Sequence, residues 1–354
     1  MRHDWLADRW VIMAPQRSAR PNDYVIAPPR ELDNTNCPFC AGHEHQTPTA
    51  VQSYSTQSSC GTSNDTPTWN VRVVPNKFPA VNSALKGLVE IPKCAIPVEA
   101  IAAETIAAGE ESINLFQRRD LTGGHEVIVE SPHHLHSISQ LDREAAQLVF
   151  TAYRDRLRYW LDERGLAYGV VFKNVGADAG ASLVHTHSQL IATDLLPADV
   201  ARATERMELF MSKKSACLFC SMAEDELEQK VRLVERTADF VAFCPFASRF
   251  PSMVTILPTE HESRFQTLTE SKLAQLSWLT RRLVLRIEHC FPDAAYNFII
   301  HTSPNGLRSP ESFHWRIELF PRITKVAGFE WGSDCYINPL APESAAAALR
   351  SVNV

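Results

Sequence analysis

Two Cys-x-x-Cys pairs, Cys37-Pro-Phe-Cys40 and Cys217-Leu-Phe-Cys220, each open the same succession of elements. The first is followed by the strand-like Glu126-Val-Ile-Val-Glu130, then Pro132-His133-His134, a helix, a strand and His185. The second is followed by Val254-Thr-Ile-Leu257, then Pro258-Thr-Glu-His261, a helix, a strand and His314. His134 and His185 stand 51 residues apart, and His261 and His314 stand 53 apart. A spacing kept this closely points to a duplicated unit, so the chain must fold as two similar halves.

Local pattern fills in each half. Ala145, Leu148, Val149, Ala152, Leu157, Trp160 and Leu161 form one apolar stripe that stops near Gly165, and Leu273, Leu276, Leu279, Leu283 and Ile287 form another. Short strands follow at Gly169-Val-Val-Phe172 and Asn297-Phe-Ile-Ile300. A length of 354 residues suits two α+β domains, 1–200 and 201–354, with the boundary near residues 195–212. The polar run Thr47 to Thr68 reads as a surface loop, and the Ala- and Glu-rich residues 99–112 as an exposed helix or insertion.

Cysteine usage argues for metal. Nine cysteines, an odd number with five scattered singly, disfavour a disulfide framework, and neither pair sits in a thioredoxin-like setting. A tetrahedral zinc ion takes four sulfur or nitrogen ligands, and a Cys-x-x-Cys turn supplies two. The repeated order then predicts two zinc ions per chain, one on Cys37, Cys40, His134 and His185, the other on Cys217, Cys220, His261 and His314. His133 and His136 compete with His134, and His125 competes more weakly.

Between residues 176 and 189 a small-residue loop runs into alternating histidines, Gly176-Ala-Asp-Ala-Gly-Ala-Ser-Leu-Val-His185-Thr-His187-Ser-Gln189. Glycines let backbone N–H groups approach an anion closely. On a strand His185, His187 and Gln189 share a face, so two imidazoles and an amide converge on a phosphate-sized site. A neutral imidazole can attack phosphorus and split a phosphoryl or nucleotidyl exchange into two easier halves, while the other histidine binds metal. The second half departs here, with His314-Trp-Arg316-Ile-Glu318. Arginine stays protonated and is no nucleophile, so the chemistry belongs to the first half.

A formal charge of -6 opposes a nucleic-acid binder with a broad basic face, and so counts against a non-enzymatic zinc protein that binds RNA. No run of about 18 apolar residues is present, and Met1-Arg-His-Asp-Trp lacks the apolar core of a signal peptide, so a cytoplasmic protein with no membrane partner is expected.

These residues resemble the galactose-1-phosphate uridylyltransferase family, the transferase branch of the histidine triad superfamily. Further matching pieces are Trp10-Val-Ile, Arg17-Ser-Ala-Arg20-Pro21, Val74-Pro-Asn76-Lys77-Phe78-Pro79, Asn174 with its glycine loop, Pro245-Phe-Ala-Ser-Arg-Phe250 and Ala327-Gly-Phe329-Glu330. The resemblance implies two histidine-triad-like halves, each an antiparallel sheet with helices, arranged as an intramolecular pseudo-dimer. It also implies UMP exchange between UDP-glucose and galactose 1-phosphate through a covalent uridylyl-histidine. His187 is then the nucleophile, with Gln189 and Ser182 on the phosphate oxygens and a carbonyl or similar acceptor fixing the proton on the other ring nitrogen. Arg17, Arg20, Asn76 and Asn174 correspond to nucleotide and phosphate contacts, Phe329 and Glu330 to hexose contacts, and a homodimer is implied. Gln189 in place of a third alternating histidine favours transfer over hydrolysis. Lys77, Val184, Thr186 and the tail Trp331-Gly-Ser-Asp-Cys-Tyr336 depart from the main family. The tail and the second Cys-x-x-Cys are similar to the branch that includes ADP-glucose phosphorylase, so adenylyl transfer to phosphate stands as the alternative.

Overall fold

The computed structural model describes residues 1–19, 35–56, 68–81, 116 and 118–354. Its strands are β1 (Arg2–Asp4), β2 (Arg9–Met13), β3 (Gln52–Tyr54), β4 (Val71–Pro75), β5 (Gly123–Val129), β6 (Tyr168–Val175) and β7 (His187–Thr193). In the second half they are β8 (Leu233–Arg236), β9 (Phe240–Phe243), β10 (Val254–Pro258), β11 (Tyr296–His301), β12 (Arg316–Pro321) and β13 (Tyr336–Asn338). Ten of them form one sheet in the order β3-β4-β5-β7-β6-β11-β12-β10-β9-β8, with every neighbouring pair antiparallel.

That order is a palindrome of the repeat. β6 lies opposite β7 as β11 lies opposite β12, and the two halves meet where β6 pairs with β11. Phe172 sits across from Gln189, Ile299 sits across from Glu318, and Phe172 and Ile299 face each other at the junction. A pseudo-twofold axis therefore passes between Phe172 and Ile299, and the expected α+β pseudo-dimer is what the chain forms. The proposed division at about residue 200 follows the repeat; hydrogen bonding of the sheet continues across it.

One face of the sheet is covered by α1 (Arg143–Arg158) and α4 (Glu270–Cys290), which pack against each other. Both start at side-chain caps, Asp142 accepting from Ala145 N–H and Thr269 from Lys272 N–H. The first helix continues through a π turn to Glu163 and stops at Gly165, whose φ of +67° suits glycine. Val149, Phe150, Tyr153 and Leu157 of α1 and Leu276, Leu279, Leu283 and Ile287 of α4 are buried against Ile128, Leu190, Phe298 and Ile317 of the sheet. At roughly 1.5–3 kcal/mol per buried large apolar side chain, this layer anchors the sheet. The opposite face carries His125, Asn174, His187 and Gln189 in the first half and His301, Arg316 and Glu318 in the second, because residues two apart on a strand share a face.

The remaining strands form a separate sheet, β1-β2-β13, which joins the two ends of the chain. It rests on the second half: Asn338 donates to Ser248 O at 2.8 Å, and the Phe250 ring lies 5.8 Å from that of Tyr336. α2 (Ala198–Lys214) occupies the expected boundary segment, followed by α3 (Leu218–Gln229), α5 (Gly328–Ser333) and α6 (Pro342–Ser351). The reading of Thr47 to Thr68 as loop needs correction, since Gln52–Tyr54 pairs with β4 and edges the sheet; polar residues suit an edge strand wet on one side. Residues 57–67 of that run, and the segment 99–112, lie outside the described residues. Among the described residues no helix is long and apolar enough to cross a membrane.

Candidate functional site

The two cysteine pairs and their histidines meet as two matching clusters. In the first, Cys37 Sγ lies 3.4 Å and Cys40 Sγ 3.6 Å from His185 Nδ1, and Cys40 Sγ lies 3.3 Å from His134 Nδ1. In the second, Cys217 and Cys220 lie 3.7 and 3.5 Å from His314 Nδ1, and Cys220 lies 3.5 Å from His261 Nδ1. Within each foursome all ligand atoms fall within 4.8 Å of one another. A tetrahedral zinc with bonds of about 2.3 Å to sulfur and about 2.05 Å to nitrogen has S–N edges of roughly 3.5 Å, so both donor sets fit the ion. His133 and His136 stand outside the first foursome.

Outer contacts orient the first cluster. His185 Nε2 donates to Ser131 O at 2.9 Å, which leaves Nδ1 as the ligand atom. Burial pushes its pKa down to about 4, so the imidazole is neutral, as a ligand must be. In the second cluster His314 Nε2 is buried without a hydrogen-bond partner among the described residues. Phe39 packs on both histidines of the first half, its ring 5.9 Å from His185 and 5.2 Å from His187.

His187 begins β7, two residues beyond the cluster. Its Nδ1 donates to the His185 carbonyl at 2.7 Å, the kind of acceptor expected from the sequence. Among the described residues Nε2 makes no hydrogen bond, so it keeps its lone pair. Burial, aided by the Lys173 ammonium, holds the pKa of His187 below its ordinary value, so the ring is neutral at pH 7.

Beside it Gln189 is held by a short relay. Ala80 N–H donates to His125 Nδ1 at 3.1 Å, which fixes the proton on Nε2, and Nε2–H donates to Gln189 Oε1 at 2.8 Å. Asn76 Nδ2 also approaches Gln189 Oε1 at 3.4 Å. With its carbonyl engaged, Gln189 is left with its amide N–H groups as donors, the polarity an anionic oxygen needs. Behind β7, Glu130 and Lys173 are fully buried and paired at 2.5 Å. Glu130 also accepts from Tyr153 OH at 2.6 Å, Thr186 Oγ1 at 2.6 Å and Ser188 Oγ at 2.5 Å, and Lys173 donates to the His187 carbonyl at 3.0 Å. Burial alone would raise the Glu130 pKa; the ammonium and hydrogen bonds outweigh it and hold the carboxyl below its ordinary value.

The loop from Gly176 to Gly180 needs its glycines. Gly176 has φ +82°, and a Cβ there would meet Ala295 Cβ at 2.8 Å; Gly180 has φ +88°. Asn297 ties the loop down, donating to Asn174 Oδ1 at 2.8 Å and Ala179 O at 2.9 Å. Ser182 is exposed on this loop.

The other sequence-derived substrate residues lie elsewhere. Arg17 is exposed just past β2, and Phe329 and Glu330 lie in α5 just before β13, which pairs in parallel with β2. Glu330 accepts from Ala327 N–H at 3.0 Å, and Phe329 is half exposed. No hydrogen bond or ion pair among the described residues links these three to His187, Gln189 or Asn76. Arg20 lies outside the described residues. Sequence reasoning missed Glu130, Lys173, Tyr153 and Phe39, and saw His125 only as a weak metal competitor. The available signal was a lysine inside the apolar run Val170-Val-Phe-Lys173 and a glutamate ending another, charges that a buried strand carries only when paired.

A family model described as "Domain of unknown function (DUF4921)" matches residues 88–351. ADP-glucose phosphorylase of Arabidopsis thaliana is 30% identical over 360 residues, spanning 100% of this chain and 93% of the relative. Galactose-1-phosphate uridylyltransferase of Thermotoga maritima is 27% identical over 68% of this chain and 77% of its own length. The crystal structure of the Arabidopsis thaliana ADP-glucose phosphorylase with bound ADP-glucose aligns with a TM-score of 0.77 and 29% identity, covering 100% of this chain and 99% of the other.

Proposed function

The chain belongs to the galactose-1-phosphate uridylyltransferase family and is a nucleotidyltransferase of it, and from that premise we propose that it moves a nucleotidyl group from a nucleotide sugar to a phosphate-bearing acceptor through His187. The observation that carries this reading is the neutral His187 ring, its Nδ1 tied to a carbonyl at 2.7 Å and its Nε2 without a hydrogen bond among the described residues. Nε2 forms a bond to the α-phosphorus as the bond from that phosphorus to the bridging oxygen breaks, and the sugar 1-phosphate leaves with that electron pair. An acceptor oxygen then bonds the same phosphorus and the N–P bond breaks, returning the lone pair to Nε2.

Gln189, with Ser182 from the loop, donates to the phosphate oxygens as charge develops on them, and Asn76 and Asn174 border the same site. Zinc on Cys37, Cys40, His134 and His185 ties down the start of β7. The second zinc, on Cys217, Cys220, His261 and His314, braces the other half. Arg17, Arg20, Phe329 and Glu330 remain the proposed nucleotide and sugar contacts. The β1-β2-β13 sheet that carries Arg17, and beside which α5 holds Phe329 and Glu330, packs on the second half. That placement supports a homodimer in which a second copy completes the site, which sedimentation measurements test.

Uridylyl exchange between UDP-glucose and galactose 1-phosphate draws support from the uridylyltransferase relatives. Adenylyl transfer from ADP-glucose to phosphate draws support from a relative matched along the whole chain, and from the tail after Glu330. Intact mass under non-acidic conditions after incubation with each nucleotide sugar separates them. A uridylyl adduct on the native chain and not on His187→Ala supports the first, and an adenylyl adduct the second. If neither sugar leaves an adduct, either the nucleotide or the covalent step is wrong, and acceptor-dependent turnover separates those two failures. Turnover with galactose 1-phosphate or with phosphate then fixes the acceptor.

A further inference from the structure

The face of the sheet that carries His187 in the first half carries a cavity of about 390 Å³ in the second. The pseudo-twofold axis relates the two places. Residue for residue, Arg316 stands where His187 stands, Glu318 where Gln189 stands and His301 where Asn174 stands, since each keeps the same strand position relative to the Phe172–Ile299 junction. Phe219 likewise repeats Phe39, each being the aromatic residue of its Cys-x-x-Cys turn. All four second-half residues line the cavity.

The lining is that of a binding site that cannot react. Arg316 is 6% exposed; its Nε donates to Glu318 at 3.0 Å, its guanidinium lies 4.9 Å from the Phe219 ring centroid, and among the described residues its two terminal nitrogens make no hydrogen bond. Arg249 approaches the same carboxylate at 3.3 Å. Two guanidinium groups thus share one carboxylate, while the other charges on the wall are matched nearby, Arg202 with Asp199 and Arg9 with Asp4 and Asp334. His301 Nε2, also buried, lies 3.6 Å from the Glu318 carboxylate, too far for a direct hydrogen bond. Apart from these groups the walls are largely apolar, with aromatic side chains from Trp5, Phe246 and Phe313.

We propose that this cavity is a second, non-catalytic site for a nucleoside phosphate, with Arg316 and Arg249 holding the phosphate and the aromatic walls holding the base. The volume falls in the range of small-molecule sites, about 300–1,000 Å³. A flat base suits apolar walls, whereas a hexose would bring a hydroxyl on almost every carbon into a wall with few partners. The Arg316 and Arg249 guanidinium groups suit a phosphate, which arginine grips with paired N–H groups. With arginine in the nucleophile's place the ligand is bound and released unchanged.

The proposal rests on this cavity's own lining and shares only the pseudo-twofold relation with the catalytic reading. Equilibrium dialysis of labelled UMP and AMP against the full-length zinc-loaded chain tests it. Bound nucleotide is compared between the native chain, His187→Ala, Arg249→Gln and Arg316→Gln. For at least one of the two nucleotides, a cavity-bound nucleotide persists in His187→Ala. Occupancy falls by one nucleotide per chain, or that site weakens by roughly ten- to hundredfold, in either arginine variant, whatever the catalytic half binds. Ribose 5-phosphate, lacking the base, competes poorly. Arg249 is partly exposed, so Arg249→Gln serves should Arg316→Gln fail to fold. Equal occupancy in the native and folded Arg249→Gln chains for both nucleotides overturns the site, and so does competition by ribose 5-phosphate as strong as by the nucleotides. Failure of the catalytic reading shows separately, as absence of a His187 adduct.

Discussion

Replacing Lys173 by Met tests whether a buried charge holds the nucleophile's strand in place. Lys173 and Glu130 are both fully buried, so the variant leaves a carboxylate in the core without its cation. Breaking such a pair costs about 3–5 kcal/mol. Glu130 keeps three hydroxyl donors, from Tyr153, Thr186 and Ser188, which places the cost of the lost cation near the lower end. The His187 carbonyl also loses its bond from Lys173, worth about 1 kcal/mol. Together these amount to about 4 kcal/mol, or a fall of about 1.3 M in the urea midpoint at a slope of about 3 kcal/mol/M.

The pH dependence separates charge from lost packing. In the native chain Glu130 is held below its ordinary pKa. Its stabilisation is therefore complete above the unfolded value, about 4.3, and is lost as pH falls through the folded value. Without Lys173, burial raises the folded pKa of Glu130 above the unfolded one, so the penalty is greatest at neutral pH and lessens as pH falls toward 5. Urea titrations at pH 7.5 and 5.5, followed by tryptophan fluorescence, measure both effects. Adding Glu130→Gln to Lys173→Met removes the stranded charge and recovers part of the loss. A cost below about 1 kcal/mol, or a penalty independent of pH and unrelieved by Glu130→Gln, refutes the reasoning.

His187→Ala lowers nucleotidyl exchange by roughly 10⁴-fold or more while zinc measured by atomic emission stays at the native level, because the metal donors are other residues. Gly176→Ala destabilises the chain by about 1–2 kcal/mol and lowers exchange, since alanine disfavours φ +82° and its methyl meets Ala295; paired melting and turnover assays check this. Chelation with 1,10-phenanthroline lowers the melting temperature and makes Cys37 and Cys217 reactive toward a thiol reagent, and added zinc restores both. Glu318, opposed by burial but held well below its ordinary pKa by His301 and Arg316, stabilises the fold above about pH 4.3. That contribution disappears as pH falls further, so the acid limb of the native melting curve is steeper than that of Glu318→Gln.

Much of the site was legible because its elements are local or repeated. Alternation marked β7 with its histidines, stripes of leucine and valine marked the two long helices, and each Cys-x-x-Cys turn announced half of a donor set. Glu130 and Lys173 escaped because a pair's meaning depends on which strands become neighbours, and these residues are 43 apart. His125 escaped for the same reason: its role comes from the pairing of β5 with β7, which brings it within 2.8 Å of Gln189.

The sequence by itself determined the duplicated α+β plan, the eight donors grouped by the repeat and the histidine whose chemistry has no counterpart in the second half. Each of these depends on residue type and on spacing along the chain, which periodicity of helix and strand converts directly into a shared face. Only the tertiary structure decided that the halves fuse edge to edge through Phe172 and Ile299, that both chain ends pair in one sheet over the second half, and that Arg316 and Glu318 close on a cavity. Those outcomes come from contacts between residues far apart in the chain. They depend on which apolar faces bury each other and which charges must find partners inside, and no local pattern encodes that choice.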